Sequence, residues 1–139
     1  MEQIVQRSDL DRLVAAGGDL LIDVADAGLP ESVRFSQMVE TLVRRHPGVG
    51  CARIDMAAGR DVASLLGIDR APSLVLFRSG VGLFAGPANF PEAQLEAMLM
   101  RALALDMDEV RREMDRSRSA SVSVSGSRAC PMTKRGEFP

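Results

Sequence analysis

Tryptophan and tyrosine are absent from these 139 residues, and phenylalanine occurs only five times. That scarcity argues against nucleic-acid surfaces built on base stacking and against aromatic sugar platforms. Cysteine is nearly as rare. Cys51 and Cys130 are the two present, too few for a disulfide framework, so a reducing cytoplasm is the expected setting. One histidine and two distant cysteines cannot assemble a zinc site of the usual nitrogen–sulfur kind, and no cofactor is expected. A dominant charge is missing too. The net charge of -2 gives no electrostatic footprint for DNA or RNA. No apolar stretch approaches the roughly 20 residues needed to cross a bilayer. The first residues lack a basic run followed by an apolar one, so no export signal is expected. Gly17-Gly18 lacks the spacing of a phosphate or dinucleotide loop.

What is present is ordinary for a globular domain: 46% hydrophobic and 26% charged residues, enough to bury a core without staples. The charge is uneven. From Asp115 to the end, five Lys/Arg face two Asp/Glu, which leaves the body at -5. An acidic body suits a basic partner. From Arg116 onward the chain turns to Ser, Arg, Gly and Pro with few apolar residues, too few to offset chain entropy. The expected organisation is one domain over residues 1–114 and a disordered tail over 115–139.

Within the body, Ser8 is placed to cap a short helix carrying Leu10, Leu13 and Val14, ended by Gly17-Gly18. Asp19 to Ala25 is a short apolar run bounded by turn residues, hence a central strand. A helix from about Glu31 to His46 repeats Phe35, Met38, Val39, Leu42 and Val43 on one face. Its last turn holds Arg44, Arg45 and His46, where cations suit the helix dipole. Gly50–Asp55 reads as a strand. A helix from about Gly59 to Leu66 turns Val62, Leu65 and Leu66 inward and closes at Gly67. Ser73–Phe77 is a buried strand, paired through Arg78-Ser79-Gly80 with Val81–Ala85. After a Gly86–Ala88 loop, Pro91 opens a last helix with Leu95, Met98, Leu99, Ala102 and Leu103, which can extend into Asp106–Met114. The early alternation asks for parallel strands with crossover helices, and the late hairpin for an antiparallel edge. Pro72 stands at the mouth of a strand, where it owes no ladder hydrogen bond.

Helix, Gly67-Ile68, short loop, Ala71-Pro72, strand, glycine turn, strand and helix resemble the second half of a thioredoxin fold. The resemblance implies a mixed central sheet flanked by helices and a cis bond before Pro72. Redox-active members carry Cys-x-x-Cys at the start of the helix after the first central strand. Counted from Asp23, Leu29-Pro30-Glu31-Ser32 stands there, so dithiol exchange has no thiols to work with. Asp23 occupies the place of a buried acid common in the fold. Cys51 reads as a small buried apolar side chain, and Cys130 lies in the tail.

Within that superfamily the chain resembles the HyaE/HupG group of nickel–iron hydrogenase accessory proteins, which lack the redox pair. The points of likeness are Leu29-Pro30-Glu31, the helix end Leu42 to Pro47, the long segment from Asp55 to Gly67, and Phe90-Pro91. The Val81–Ala85 hairpin is about two residues shorter than that group's. This resemblance implies a cytoplasmic, non-enzymatic chaperone that binds the twin-arginine signal peptide of the hydrogenase small subunit. A peptide groove is then expected between the loops Gly28–Glu31, Arg70–Pro72 and Gly86–Ala88. Leu29, Pro30, Ala71 and Pro87 would floor it. Asp26 and Glu31 would meet arginines at its rim. An extended peptide would add to the backbone beside Pro72 as a strand does. Two alternatives stay open: single-thiol redox activity through Cys51 or Cys130, and a degenerate scaffold whose groove is dispensable. The plainer reading of Asp26 and Glu31 is that both are solvated, with Glu31 favouring the helix start.

Overall fold

Two apolar runs, Asp19–Ala25 and Ser73–Arg78, lie side by side in the middle of a five-stranded sheet. The computed structural model describes residues 2–122. In chain order these form β1 (Glu2–Gln3), α1 (Arg7–Ala15), β2 (Asp19–Ala25), α2 (Pro30–Arg45) and β3 (Val49–Asp55). Then come α3 (Met56–Leu65), β4 (Ser73–Arg78), β5 (Val81–Pro87), α4 (Glu92–Leu103) and α5 (Met107–Val122). The sheet order is β1-β3-β2-β4-β5. β1, β3 and β2 run parallel, whereas β4 and β5 are antiparallel to their neighbours. The expected α-β-α-β-α-β-β-α order is kept, with β1 added in front and a separate α5 behind, where a continuation of the last helix into Asp106–Met114 is expected from the sequence. Two exposed residues carry no strand signal, and β1 exists through its pairing with Ala52 and Arg53.

Period-2 alternation in β2 feeds two cores. Leu20, Ile22 and Val24 point to one face and join Ile54, Val62 and Val75 beneath α1 and α3. Leu21 points to the other and joins Phe35, Val39, Leu42, Leu95 and Leu99 of α2 and α4. In β5, a bulge opposite Leu76 and Phe77 breaks the alternation. Consecutive Leu83 and Phe84 therefore both serve the α2–α4 face.

Helix ends differ from the sequence expectation in instructive ways. α1 starts at Arg7 with Gln6 as its cap, not Ser8. Asp9 reaches back to accept from the Val5 and Gln6 N–H groups at 3.0 and 3.1 Å. These bonds hold its carboxyl below the usual carboxylate range. α3 begins at Met56, capped by Asp55, whose Oδ1 accepts from Ala57 N–H at 3.0 Å. Its inward face runs through Val62, Ala63 and Leu66, and the expected inward Leu65 is exposed. Gly86 and Pro87 belong to β5 and pair with Leu74 and Ser73, so the expected loop starts only at Ala88. Proline is tolerated there because β5 is an edge strand.

α5 continues to Val122, past the expected tail boundary at residue 115. Met107 and Val110 pack on the α2–α4 core, and Asp106 Oδ1 accepts from the Asp108 and Glu109 N–H groups. Local capping and two apolar anchors thus sustain a helix that composition alone disfavours. Residues 123–139, including Cys130, lie outside the described part. Arg78 ties the far end of α4 to the sheet: its guanidinium donates to Asp19, to the Ala102 carbonyl at 3.0 Å and to the Leu105 carbonyl at 2.6 Å. His46 caps α2, with Nε2 3.4 Å from Glu96. No described helix is long and apolar enough to cross a membrane.

Gly59 interrupts the helical backbone of α3 and is buried. A Cβ there would lie 3.0 Å from Ile54 Cγ2 and 3.1 Å from the Ile4 carbonyl oxygen. Gly59→Ala is therefore expected to cost about 1–3 kcal/mol in urea unfolding, by overpacking β3 and the chain after β1. Gly48→Ala, where nothing lies within 4 Å, should cost nothing. Equal stabilities for the two variants would refute this packing account.

Candidate functional site

The first half of α2 separates two clefts. Because a helix turns about 100° per residue, Glu31, Arg34, Phe35 and Met38 face one side. Ser32, Val33, Ser36, Gln37 and Glu40 face the adjacent side.

On the first side lies an open groove of about 400 Å³. The 70–72 loop and the 87–90 segment close it against α2. The Ala71–Pro72 bond is cis. The Pro72 carbonyl accepts from Ala88 N–H at 2.9 Å, and the Arg70 carbonyl accepts from the buried Ser73 hydroxyl at 2.7 Å. Ala71 is left: among the described residues its N–H and C=O make no hydrogen bond. The floor is aromatic. Phe90 meets Phe35 and Phe84 edge-on, with ring centres 6.0 and 6.3 Å apart, a favourable geometry for such rings.

Of the residues expected at a groove, Glu31, Arg70, Ala71, Pro72 and Pro87 come together here. Gly28, Leu29 and Pro30 form the turn into α2 and line neither cleft. Gly86 is buried within β5. Asp26 lines the other cleft, because its Oδ1 turns back to accept from Gly28 N–H at 2.9 Å. Its own N–H donates to the buried Ser32 hydroxyl at 2.8 Å. Sequence reasoning passed over Arg34, Phe35, Met38 and Phe90 as groove residues. Phe35 and Met38 were visible as helix stripe, and the stripe's rim reaches beyond the core into the groove. Arg34, one residue from Phe35, carried no signal of its own.

The second cleft, about 420 Å³, holds Asp26, Glu40 and Asp55. Behind it sits Asp23, fully buried. Asp23 Oδ2 accepts from Ser36 Oγ at 2.6 Å and from Arg53 Nε at 3.1 Å, and Arg53 also donates to Glu40 at 3.0 Å. Asp23 Oδ1 has no hydrogen-bond partner among the described residues. Burial raises the Asp23 carboxyl above the ordinary carboxylate range, while Ser36 and Arg53 pull the other way. Among the described residues, no three His, Cys, Asp or Glu side chains are grouped to hold a metal ion.

Neither end of the 29–32 segment is a thiol. Leu29 caps α2, Pro30 is its first residue and Ser32 is buried in its first turn. Cys51 sits on β3, opposite Leu21, half-buried against the α2–α4 core. Burial, with the Asp23 carboxylate adding to it, pushes its thiol up to about 11.

This sheet order, a cis X-Pro loop facing the start of the helix after β2, and a buried acid on β2 define a thioredoxin-like protein. The comparisons agree. The chain is 30% identical over 106 residues to a putative thioredoxin 2 from Streptomyces coelicolor, covering 76% of this chain and 79% of that one. It superposes on a mutant thioredoxin from Halobacterium salinarum with a TM-score of 0.68 at 22% identity, over 76% of this chain and 92% of the other. Fasciola hepatica thioredoxin gives 0.66 at 21%, over 73% and 98%. No family profile matches. The chain belongs to the thioredoxin family.

The buried carboxyl makes stability depend on pH. A folded-state value above the unfolded one favours the protonated form. That contribution is complete below the ordinary value of 3.8 and is lost as pH rises through the folded value. Asp23→Asn is neutral at every pH and can still accept from Ser36 and Arg53. Its stability relative to the wild type should therefore grow as pH is raised from 4 to 8 in urea melts. A constant difference would show that Arg53 and Ser36 fully offset the burial.

Proposed function

We propose that this protein holds peptide segments without redox chemistry, as a chaperone in nickel–iron hydrogenase maturation whose client is the small-subunit precursor with its twin-arginine signal peptide. One observation carries the peptide-holding part: the Ala71 backbone has an unpaired donor and acceptor beside an apolar groove, the pairing surface an extended chain uses. The absence of thiols at residues 29–32 supports a role without turnover. The client's identity rests on the likeness of Leu29-Pro30-Glu31 and Phe90-Pro91 to the hydrogenase accessory group. In this reading the precursor's apolar stretch lies in the groove. Its paired arginines reach Glu31 at the rim and Asp26, Glu40 and Asp55 across the first turn of α2. A helix is about 10 Å across, so roughly three extended residues cover that step.

The second reading, thiol redox activity, draws on the name of the Streptomyces relative. Its candidate nucleophile among the described residues is Cys51, which at neutral pH is protonated and hence weakly reactive.

Two measurements separate these readings. Insulin reduction should show no turnover, and a labelled twin-arginine signal peptide should bind at micromolar concentration. Reversing Glu31 and Asp26 to Lys should weaken that binding about three- to tenfold, since exposed ion pairs contribute little each. Turnover lost in Cys51→Ser would establish the redox reading. Peptide binding unaffected by the two reversals would remove the twin-arginine client.

A further inference from the structure

Charge at the apolar groove differs from what an acidic protein leads one to expect. Arg34 and Arg70 both reach its lining and both are exposed. Arg34 has no ion pair among the described residues. Arg70 has only Asp69, at 3.8 Å and highly exposed, a contact of little worth. Glu31 is the one carboxylate in the lining, and it pairs with neither arginine within 4 Å. With two arginines against one carboxylate, the groove lining of a chain with net charge -2 is positive; Arg34 is open to a ligand carboxylate and Arg70 is held only by its exposed neighbour Asp69.

We infer that the groove selects extended segments whose apolar residues are flanked by Asp or Glu. This rests on the peptide-holding reading above and sharpens it. The client's arginine pair leaves the groove past Glu31 at its rim toward the Asp26 cleft, and the segment lying over Ala71 and Phe90 is apolar and acidic. The backbone of Ala71 supplies affinity without regard to sequence. Phe90 and Met38 favour apolar side chains. Arg34 and Arg70, on opposite walls, would bracket the segment and read its charge. Rim charges of this kind set partner choice more than affinity.

The test uses the full chain and three labelled peptides with one Val/Leu/Ala core, flanked on both sides by two Glu, two Gln or two Arg. Anisotropy titrations at moderate salt should rank Glu above Gln above Arg. The Glu peptide should bind about fivefold or more tighter than Gln, the yield of two exposed charge pairs. That margin should shrink as salt is raised. The double variant Arg34→Glu and Arg70→Glu should invert the ranking, with the Arg peptide bound tightest. These substitutions lie on the surface, and a thermal melt verifies the fold. Equal binding of all three peptides, or an acidic preference that survives the double reversal, overturns the charge inference and leaves the groove reading intact. Failure of all three peptides to bind overturns both.

Discussion

Strand β2 is the constraint on which the molecule depends. It lies between a parallel ladder to β3 and an antiparallel ladder to β4, and six of its seven residues are buried. Alternate side chains serve opposite cores, so a one-residue slip would exchange the two faces. The buried acid of that strand, Asp23, is placed by the same alternation on the α2 side. There Ser36 and Arg53 meet it. A lone buried carboxylate is expensive, and these two donors make it tolerable without satisfying both of its oxygens.

The two clefts follow from this layout. α2 must cover the β2 face with Phe35, Val39 and Leu42, so its flanks are left to border open space. One flank meets the 70–72 loop that leads into β4. The other meets the ends of β2 and β3, where Asp26 and Asp55 emerge. The groove and the acidic cleft are consequences of one helix lying across a twisted sheet, and their chemistry differs because successive residues of α2 face different ways. Glu31 and Arg34 go to one side, Ser36 and Glu40 to the other. The segment Leu29–Ser32, where the resemblance places the dithiol of redox-active members, caps α2 with Leu29, buries Ser32 in its first turn and turns Glu31 to the groove.

Much of this is legible in the sequence. Strong local signals carry the β2 and β4 runs, the α2 stripe and the proline before β4; the cis bond at Pro72 is what the thioredoxin resemblance implies, and the structure has it. Failures fell where local signal is weak. β1 has two polar residues and exists by pairing. α5 has a polar composition and is held by Met107, Val110 and the Asp106 cap. Asp26 was expected at the groove because it is near Glu31 in sequence. An Asx turn onto Gly28 sends it to the far cleft instead.

The sequence by itself determined the strand and helix order, the lack of thiols at residues 29–32 and the proline before β4, since each is a property of neighbouring residues. Only the tertiary structure decided which side chains share a cleft, because a helix disperses adjacent residues over its circumference while the sheet gathers distant ones. Arg34 and Arg70 are 36 positions apart in the chain and line one groove; no spacing rule connects them.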